Sequence, residues 1–363
     1  MNNVICFSND IKTAFKDYIY HYLTEQSGRK EFGSYDKTIS FAEKDAKMNK
    51  MLLGKVKSLS GLNFSENSEI SQEMWAANPN VRWATMAVTN SLIDMIIPEV
   101  IDKTIGLYTE SKIISMGDSA SFTVEPNDLF VVSKAGRNQR TVEFQRQFAG
   151  TVTVVPENRA ITVFVNLYRV LCGMDSLAKF VTKAIMSIES QITREVYTAF
   201  DTAMNALPTG AGTAGLKVAG YDAKAVVSLA QKVQAYNNGA PVAFVGTKLA
   251  LHDIMPDNAN YRYMLDSEYV RMFYIRNAFG YDMIELPQIA KTDGSYDLAL
   301  KDDRFYIVSP TSQKIVKLVY EGSTMSNTVN AYDSADLTEA TTLYKSWGIA
   351  IATNTTAGIV TLS

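Results

Sequence analysis

The stretch SLAKFVTKAIMSIESQITREVYTAFDTAMNA occupies residues 176–206. Its apolar residues Leu177, Phe180, Val181, Ala184, Ile185, Ile188, Ile192, Val196, Phe200 and Met204, followed by Leu207, recur mostly at spacings of three and four. That is one apolar stripe at the 3.6-residue period, so the spacing predicts a helix from about Ser176 to Ala206. Asp175 or Ser176 is placed to cap its start by accepting an orphan backbone N–H. Pro208 and Gly210 stop it. About 30 residues at 1.5 Å per residue make a rod of roughly 45 Å. The mean helix of a globular protein has only about 11–12 residues. Phe180, Ile185, Ile188, Ile192, Val196 and Phe200 are the expected core contacts of this rod.

Upstream, residues 112–170 read as strands. Phe122 and Val124 alternate with polar neighbours. The segment FAGTVTVVPENRAITVFVNLYRVL (148–171) is rich in Val, Ile, Thr and aromatics, and Pro156-Glu157-Asn158 marks a turn or irregularity in it. Between them SKAGRNQRTVEFQRQ (133–147) is polar and contains glycine, with Lys134, Arg137, Arg140 and Arg146. Further back, Trp83, Met86, Ala87, Asn90, Ile93 and Ile97 lie at helical spacing. Pro98 then reads as a break, with IPEVIDKTIGLY (97–108) forming a second short helix.

Residues 1–70 differ from the rest. Over 1–60 ten basic residues stand against seven acidic ones, a net of +3, which leaves −6 for the remainder. Short helical patterns around Ile39, Phe41, Ala42, Ala46 and Met51-Leu52-Leu53 are broken by Gly28, Gly33, Gly54 and Gly61. Either an arm with short helices or an ordinary helical subdomain fits this pattern.

Downstream the pattern is mixed. Ala223–Tyr236 reads as an amphipathic helix capped by Asp222. VAFVG (242–246) reads as a buried strand and Thr247–Ile254 as a short helix ended by Pro256. Ser267–Ala278 reads as a helix. Arg304–Val308 and Lys314–Val319 read as strands, and Leu343–Leu362 returns to strand-like sequence. There is no internal repeat and no low-complexity segment.

The chain has 363 residues, 47% hydrophobic and 20% charged, so it can bury a sizeable core. A net charge of −3 argues against a dedicated nucleic-acid binder. Two distant cysteines, Cys6 and Cys172, make no disulfide framework and no zinc cluster, and fit a reducing cytoplasm. The N-terminus lacks a secretory signal pattern. No uncharged apolar run approaches the ~20 residues that span a bilayer, so a soluble protein with no membrane partner is expected.

Catalytic patterns are matched only by letter. Gly210-Ala211-Gly212-Thr213-Ala214-Gly215 fits GxGxxG, but it follows a long helix rather than a strand, so it reads as a flexible loop. Ser176-Leu177-Ala178-Lys179 fits SxxK without its companion elements and reads as a helix cap with a surface lysine. His21 and His252 are the only histidines, with no HxxxH or CxxC and no GxSxG elbow. Asp302-Asp303 reads as a solvated turn. No catalytic, cofactor or metal site is assigned, no cofactor is expected, and the chain reads as not an enzyme.

The order of elements carries a resemblance. IPEVIDKTIGLY, a polar excursion between strands, a long strand, a long helix, an α/β lobe and a C-terminal return strand together resemble tailed-bacteriophage major capsid proteins of the Hong Kong-type shell fold. The segment GYDMIELPQIAKTDGSYDLALKDDRFYIVSP (280–310) is similar to that family's late axial-domain segment. The resemblance covers roughly residues 70–363 and rests on layout rather than on signature residues. It implies an α+β shell fold with an N-terminal arm at 1–70, a first part of the peripheral domain at 71–111 and an extended hairpin at 112–150. The peripheral domain with long strand and spine helix would follow at 151–207, the axial domain at 208–335, and a return strand of the peripheral domain at 336–363.

It also implies partners. These are copies of the chain itself as hexamers and pentamers, a separate scaffolding protein, the portal and other head proteins, and weak non-specific contact with packaged DNA. The place of the protein would be the virion capsid, assembled in the host bacterial cytoplasm. Lys134, Arg137, Arg140 and Arg146 are the expected subunit-interface residues. The basic arm is expected on or near the inner surface, against acidic neighbouring surface. An encapsulin-like nanocompartment shell uses the same fold, and an unrelated cytoplasmic α/β enzyme is the other reading. The helical basic arm favours the phage.

Overall fold

A computed structural model describes residues 9–25, 28–29, 32–61, 78–106, 108–126, 129–130, 132, 145–165, 176–208, 215–254, 274, 276–291, 295–309, 314–329, 339–352 and 354–362. Its architecture is α+β, with two sheets joined by one long helix. The helices are α1 (Asn9–Glu25), α2 (Phe41–Ser60), α3 (Pro79–Ile105), α4 (Leu177–Asn205), α5 (Ala223–Tyr236) and α6 (Lys248–His252). The strands are β1 (Thr109–Ile114), β2 (Ala120–Val124), β3 (Gly150–Val154), β4 (Glu157–Val165), β5 (Lys217–Ala219), β6 (Ala243–Gly246), β7 (Asn277–Ala278), β8 (Tyr281–Glu285), β9 (Arg304–Val308), β10 (Val316–Val329), β11 (Glu339–Ile351) and β12 (Gly358–Thr361).

The first sheet has the order β1-β10-β11-β4. β1 runs parallel to β10, and the other pairs are antiparallel. One face is covered by α1–α4: Tyr18, Leu52, Leu92, Ile185 and Ile188 share a core with Leu318, Leu343 and Trp347. The opposite face receives the two-stranded β2–β3 ribbon, whose Phe122 and Val154 pack on Val319. The ribbon crosses β11 closely at Gly348. A Cβ there would meet the Val155 carbonyl oxygen at 2.7 Å, so only glycine fits.

The second sheet has the order β5-β12-β9-β6-β8-β7. α5 and α6 cover one face, with Val226, Leu229, Val233 and Leu251 against Phe244, Phe305, Ile307 and Val360. The C-terminal half of α4 covers the other, with Tyr197 and Met204 against Val245, Tyr306, Val308 and Ile359. The long helix therefore supplies core to both lobes, its first half to one and its second half to the other.

Several readings from sequence are corrected. α3 runs unbroken through Pro98. A proline inside a helix loses one hydrogen bond and costs about 3 kcal/mol, but Ile93, Ile96 and Ile97 before it and Val100, Ile101 and Ile105 after it are all buried on one body. That burial holds the two halves in line. Asn277–Ala278, expected to end a helix, form a strand. β10 belongs to the first sheet, although 208–335 was read as one lobe. β12 leaves the first sheet and joins the second, so the C-terminus returns to both lobes.

By length and composition α3 passes for a bilayer-crossing helix. Its apolar side chains Val88, Leu92, Ile93, Ile97 and Ile101 are covered by the protein's own core. α3 is also fastened by a polar group. The register of β10 against β11 shifts between Glu321 and Met325, and Asp94 of α3 reaches that irregularity. It accepts from Thr324 N at 2.8 Å and Thr324 Oγ1 at 2.6 Å, and from Lys345 Nζ at 2.5 Å. Lys345 is buried. Asp94→Ala strands that ammonium without its carboxylate, a change that costs about 3–5 kcal/mol. The expected result is a lower urea midpoint at unchanged m-value.

Candidate assembly surface

The ribbon is anchored before its loop begins. Phe122 lies beneath two cations, with Lys112 Nζ 4.2 Å and Lys317 Nζ 5.6 Å from the ring centroid. Lys112 also donates to the Ser121 carbonyl at 2.8 Å. Lys317 is buried and pairs with Glu110 at 2.5 Å. A lone two-stranded ribbon is marginal in water; this one takes its order from the sheet beneath it.

The loop beyond that base exposes large apolar side chains. Leu129 is 74% exposed, Phe130 59%, Val132 94% and Phe148 77%. Ile113, Met116 and Val155 add exposed apolar surface near the base. Of the expected interface residues, Arg146 is exposed on this loop. Lys134, Arg137 and Arg140 lie outside the described residues. Exposed apolar residues therefore stand beside the arginine-rich stretch, and that signal was present in sequence as LFVV at 129–132.

The six helix residues are placed on the long rod as the spacing predicted. Ile185, Ile188, Ile192 and Val196 are buried, and Phe180 and Phe200 are partly buried against the two cores. Polar clamps then fix the rod to its surroundings. Glu189, buried, takes two hydrogen bonds from Arg29, at 2.6 and 2.8 Å, and one from Thr104 at 2.8 Å. Glu195 accepts from Trp347 Nε1 at 2.8 Å and Arg159 at 3.1 Å. Asp201 accepts from Tyr306 at 2.8 Å and pairs with Arg304 and Lys301, both at 3.2 Å. Burial acts to raise the Asp201 carboxyl, but the Tyr306 and Lys301 hydrogen bonds and the Arg304 charge hold it below the usual carboxylate range. None of these clamps was readable as such from sequence, because each joins residues far apart in the chain.

The letter matches to catalytic motifs dissolve into structure where they are described. Ser176 caps α4 by accepting from Lys179 N at 3.3 Å, and Lys179 pairs with Asp45 at 3.0 Å. Asp303 pairs with Arg304, and Asp302 accepts from Gln288 at 2.8 Å. His21 is buried and stacked on Tyr35 at 4.5 Å. Among the described residues no group of three or more His, Cys, Asp or Glu is placed to hold a metal ion. Gly210–Ala214 of the glycine-rich stretch lie outside the described residues.

No family model matches the sequence, and no curated protein matches it. Solved structures do. The chain is similar to the capsid of the cyanophage P-SCSP1u at 13% identity, covering 70% of this chain and 86% of that one, with a TM-score of 0.46. It is similar to the capsid of a native GTA particle at 14% identity, 72% and 90% coverage, TM-score 0.48. It is similar to the satellite phage P4 procapsid at 8% identity, 74% and 90% coverage, TM-score 0.48.

Proposed function

We propose that this chain is the major capsid protein of a tailed bacteriophage, self-assembling as hexamers and pentamers into the icosahedral head shell around the genome. The observation that carries the reading is the ribbon: firmly seated at its base, it presents Leu129, Phe130, Val132 and Phe148 to solvent. Large apolar side chains exposed together on one loop are the kind of surface that marks a docking site. Many copies, each donating such a contact, build a stable closed assembly without any very tight single interface. The long clamped helix ties the two lobes into one body, which lets each copy present its loop to neighbours from a fixed base. In this reading the protein resides in the virion, is assembled in the bacterial cytoplasm, and works with a separate scaffolding protein and a portal. Its contact with DNA is weak and non-specific, and it catalyses no reaction.

Electron microscopy of the purified chain, alone and with its scaffold, tests this. Rings or closed shells are expected; strictly monomeric particles at high concentration with scaffold present refute it. Two variants separate the contributions of the loop. Serine at Leu129, Phe130, Val132 and Phe148 is expected to leave the subunit folded and block assembly. Glutamate at Arg137, Arg140 and Arg146 is expected to do the same, because charges of like sign at a rim suppress docking. Unchanged shell yield from the second variant, with assembly lost in the first, assigns the contact to apolar packing alone.

A further inference from the structure

β4 is an outer strand of the first sheet. Its nine residues, ENRAITVFV, pair with β11 without a register shift. Among the described residues no strand pairs its other edge. A free edge is a row of unpaired backbone N–H and C=O groups, and proteins blunt it with proline, lysine, a bulge or shortness. β4 has none of these. The other outer strands of the two large sheets do: β5 and β7 have three and two residues, and β1 has six with Glu110 and Lys112 among them. Ile161 lies opposite Leu343 on the face that the helices cover. Arg159, on that same face, is drawn to Glu195 at 3.1 Å and so does not guard the edge. Asn158, Ala160 and Thr162 stand exposed on the other face.

An edge of this kind fits another extended strand, and β4 is complementary to itself. Its midpoint is Ile161. About a two-fold axis there, Ile161 stands opposite Ile161 of a second copy, Ala160 opposite Thr162, Arg159 opposite Val163 and Glu157 opposite Val165. No like charges are opposed, which would destabilise the pairing, and the centre is a pair of β-branched residues suited to a pleated surface. We propose that β4 pairs antiparallel with β4 of a second copy about this axis, so that two four-stranded sheets become one. Such an interface is isologous, the same surface on both copies. Its affinity comes from main-chain hydrogen bonds, and its register from the alternating side chains. The pairing does not depend on shell assembly or on the loop beyond the ribbon.

Disulfide capture in the full chain, carrying Cys6→Ser and Cys172→Ser, tests the register. Ala160→Cys and Thr162→Cys are made as separate variants. Mixed and oxidised, they should form heterodimers, because directly opposed residues lie about 4.5–5.5 Å apart at Cα, within disulfide reach. Either variant alone should give little, since its two thiols sit on a diagonal of roughly 7–8 Å. Sedimentation of two double variants tests the contact itself. Ala160→Lys with Thr162→Lys opposes lysines across the axis and should weaken self-association about tenfold, whereas Ala160→Lys with Thr162→Glu opposes unlike charges and should keep it. Both positions are exposed, so both double variants should keep the parent's circular dichroism spectrum. No heterodimer from the mixture, equal capture from either cysteine variant alone, or equal self-association of the two double variants each overturns the proposal.

Discussion

Ile188→Asp is expected to give insoluble protein. Ile188 is 2% exposed at the middle of α4, between Ile185 and Ile192, in the core that α1–α3 and the first sheet share. An aspartate there carries its carboxyl into an apolar space, and a buried polar group without a partner costs several kcal/mol even after it neutralises itself. The loss of the isoleucine's own packing adds to that. Domain stabilities of about 5–15 kcal/mol leave little after such a change. The adjacent position shows what a carboxylate needs in this environment: Glu189 is equally buried, yet Arg29 and Thr104 supply three hydrogen bonds. Ile188→Val is the control, expected to cost about 0.5–1.5 kcal/mol and to stay soluble. Soluble, assembling Ile188→Asp protein would show that the helix faces its neighbours in a different register.

The same helix shows why some of the fold was legible. Its stripe is a local, periodic signal over eight turns, and Ile185, Ile188, Ile192 and Val196 on it are buried while Phe180 and Phe200 are partly so. β2 was legible from alternation, and β3 and β4 from a stretch rich in Val, Ile and Thr interrupted at Pro156. Pro98 was misread because a local breaker was weighed without the isoleucines on either side of it, whose tertiary burial decides the outcome. The length of β10 was missed because its second half, EGSTMSNTV (321–329), is polar; its order comes from pairing with β11, whose register sequence alone does not reveal. The transfer of β12 to the second sheet is a non-local pairing of the same kind.

Charged residues were the least legible. Nothing in the sequence singled out Lys317, Lys345 or Glu189, and all three are buried against partners. Their partners lie 207, 251 and 160 residues away in the chain, so no short motif could reveal them. On the candidate surface the arginines of 133–147 drew the reading towards charge, while the structure also exposes Leu129, Phe130 and Val132 just before them.

Deleting residues 1–35 is expected to abolish soluble subunit rather than merely weaken a shell. Read as an arm, this segment would be expendable to its own protomer. In the structure Phe15, Tyr18, Ile19, Leu23 and Phe32 are buried in the same core as the long helix. Full burial of each such side chain contributes roughly 1.5–3 kcal/mol, so their joint loss is on the order of the whole stability of a domain. The deletion also removes Arg29, leaving Glu189 buried with only Thr104 to bond it. The deleted residues carry four basic and four acidic side chains, a net of zero, so they offer little to phosphate binding, which builds up one salt-sensitive contact at a time. Arg29→Met isolates the charge pair: it should cost about 3–5 kcal/mol, seen as a lower melting temperature, while the apolar contacts of α1 remain. Soluble yield, shell melting temperature and packaged DNA content, measured on both variants against the full chain, decide the matter. Shells of normal melting temperature that have lost their DNA would show instead that the first helix serves the genome and not the subunit core.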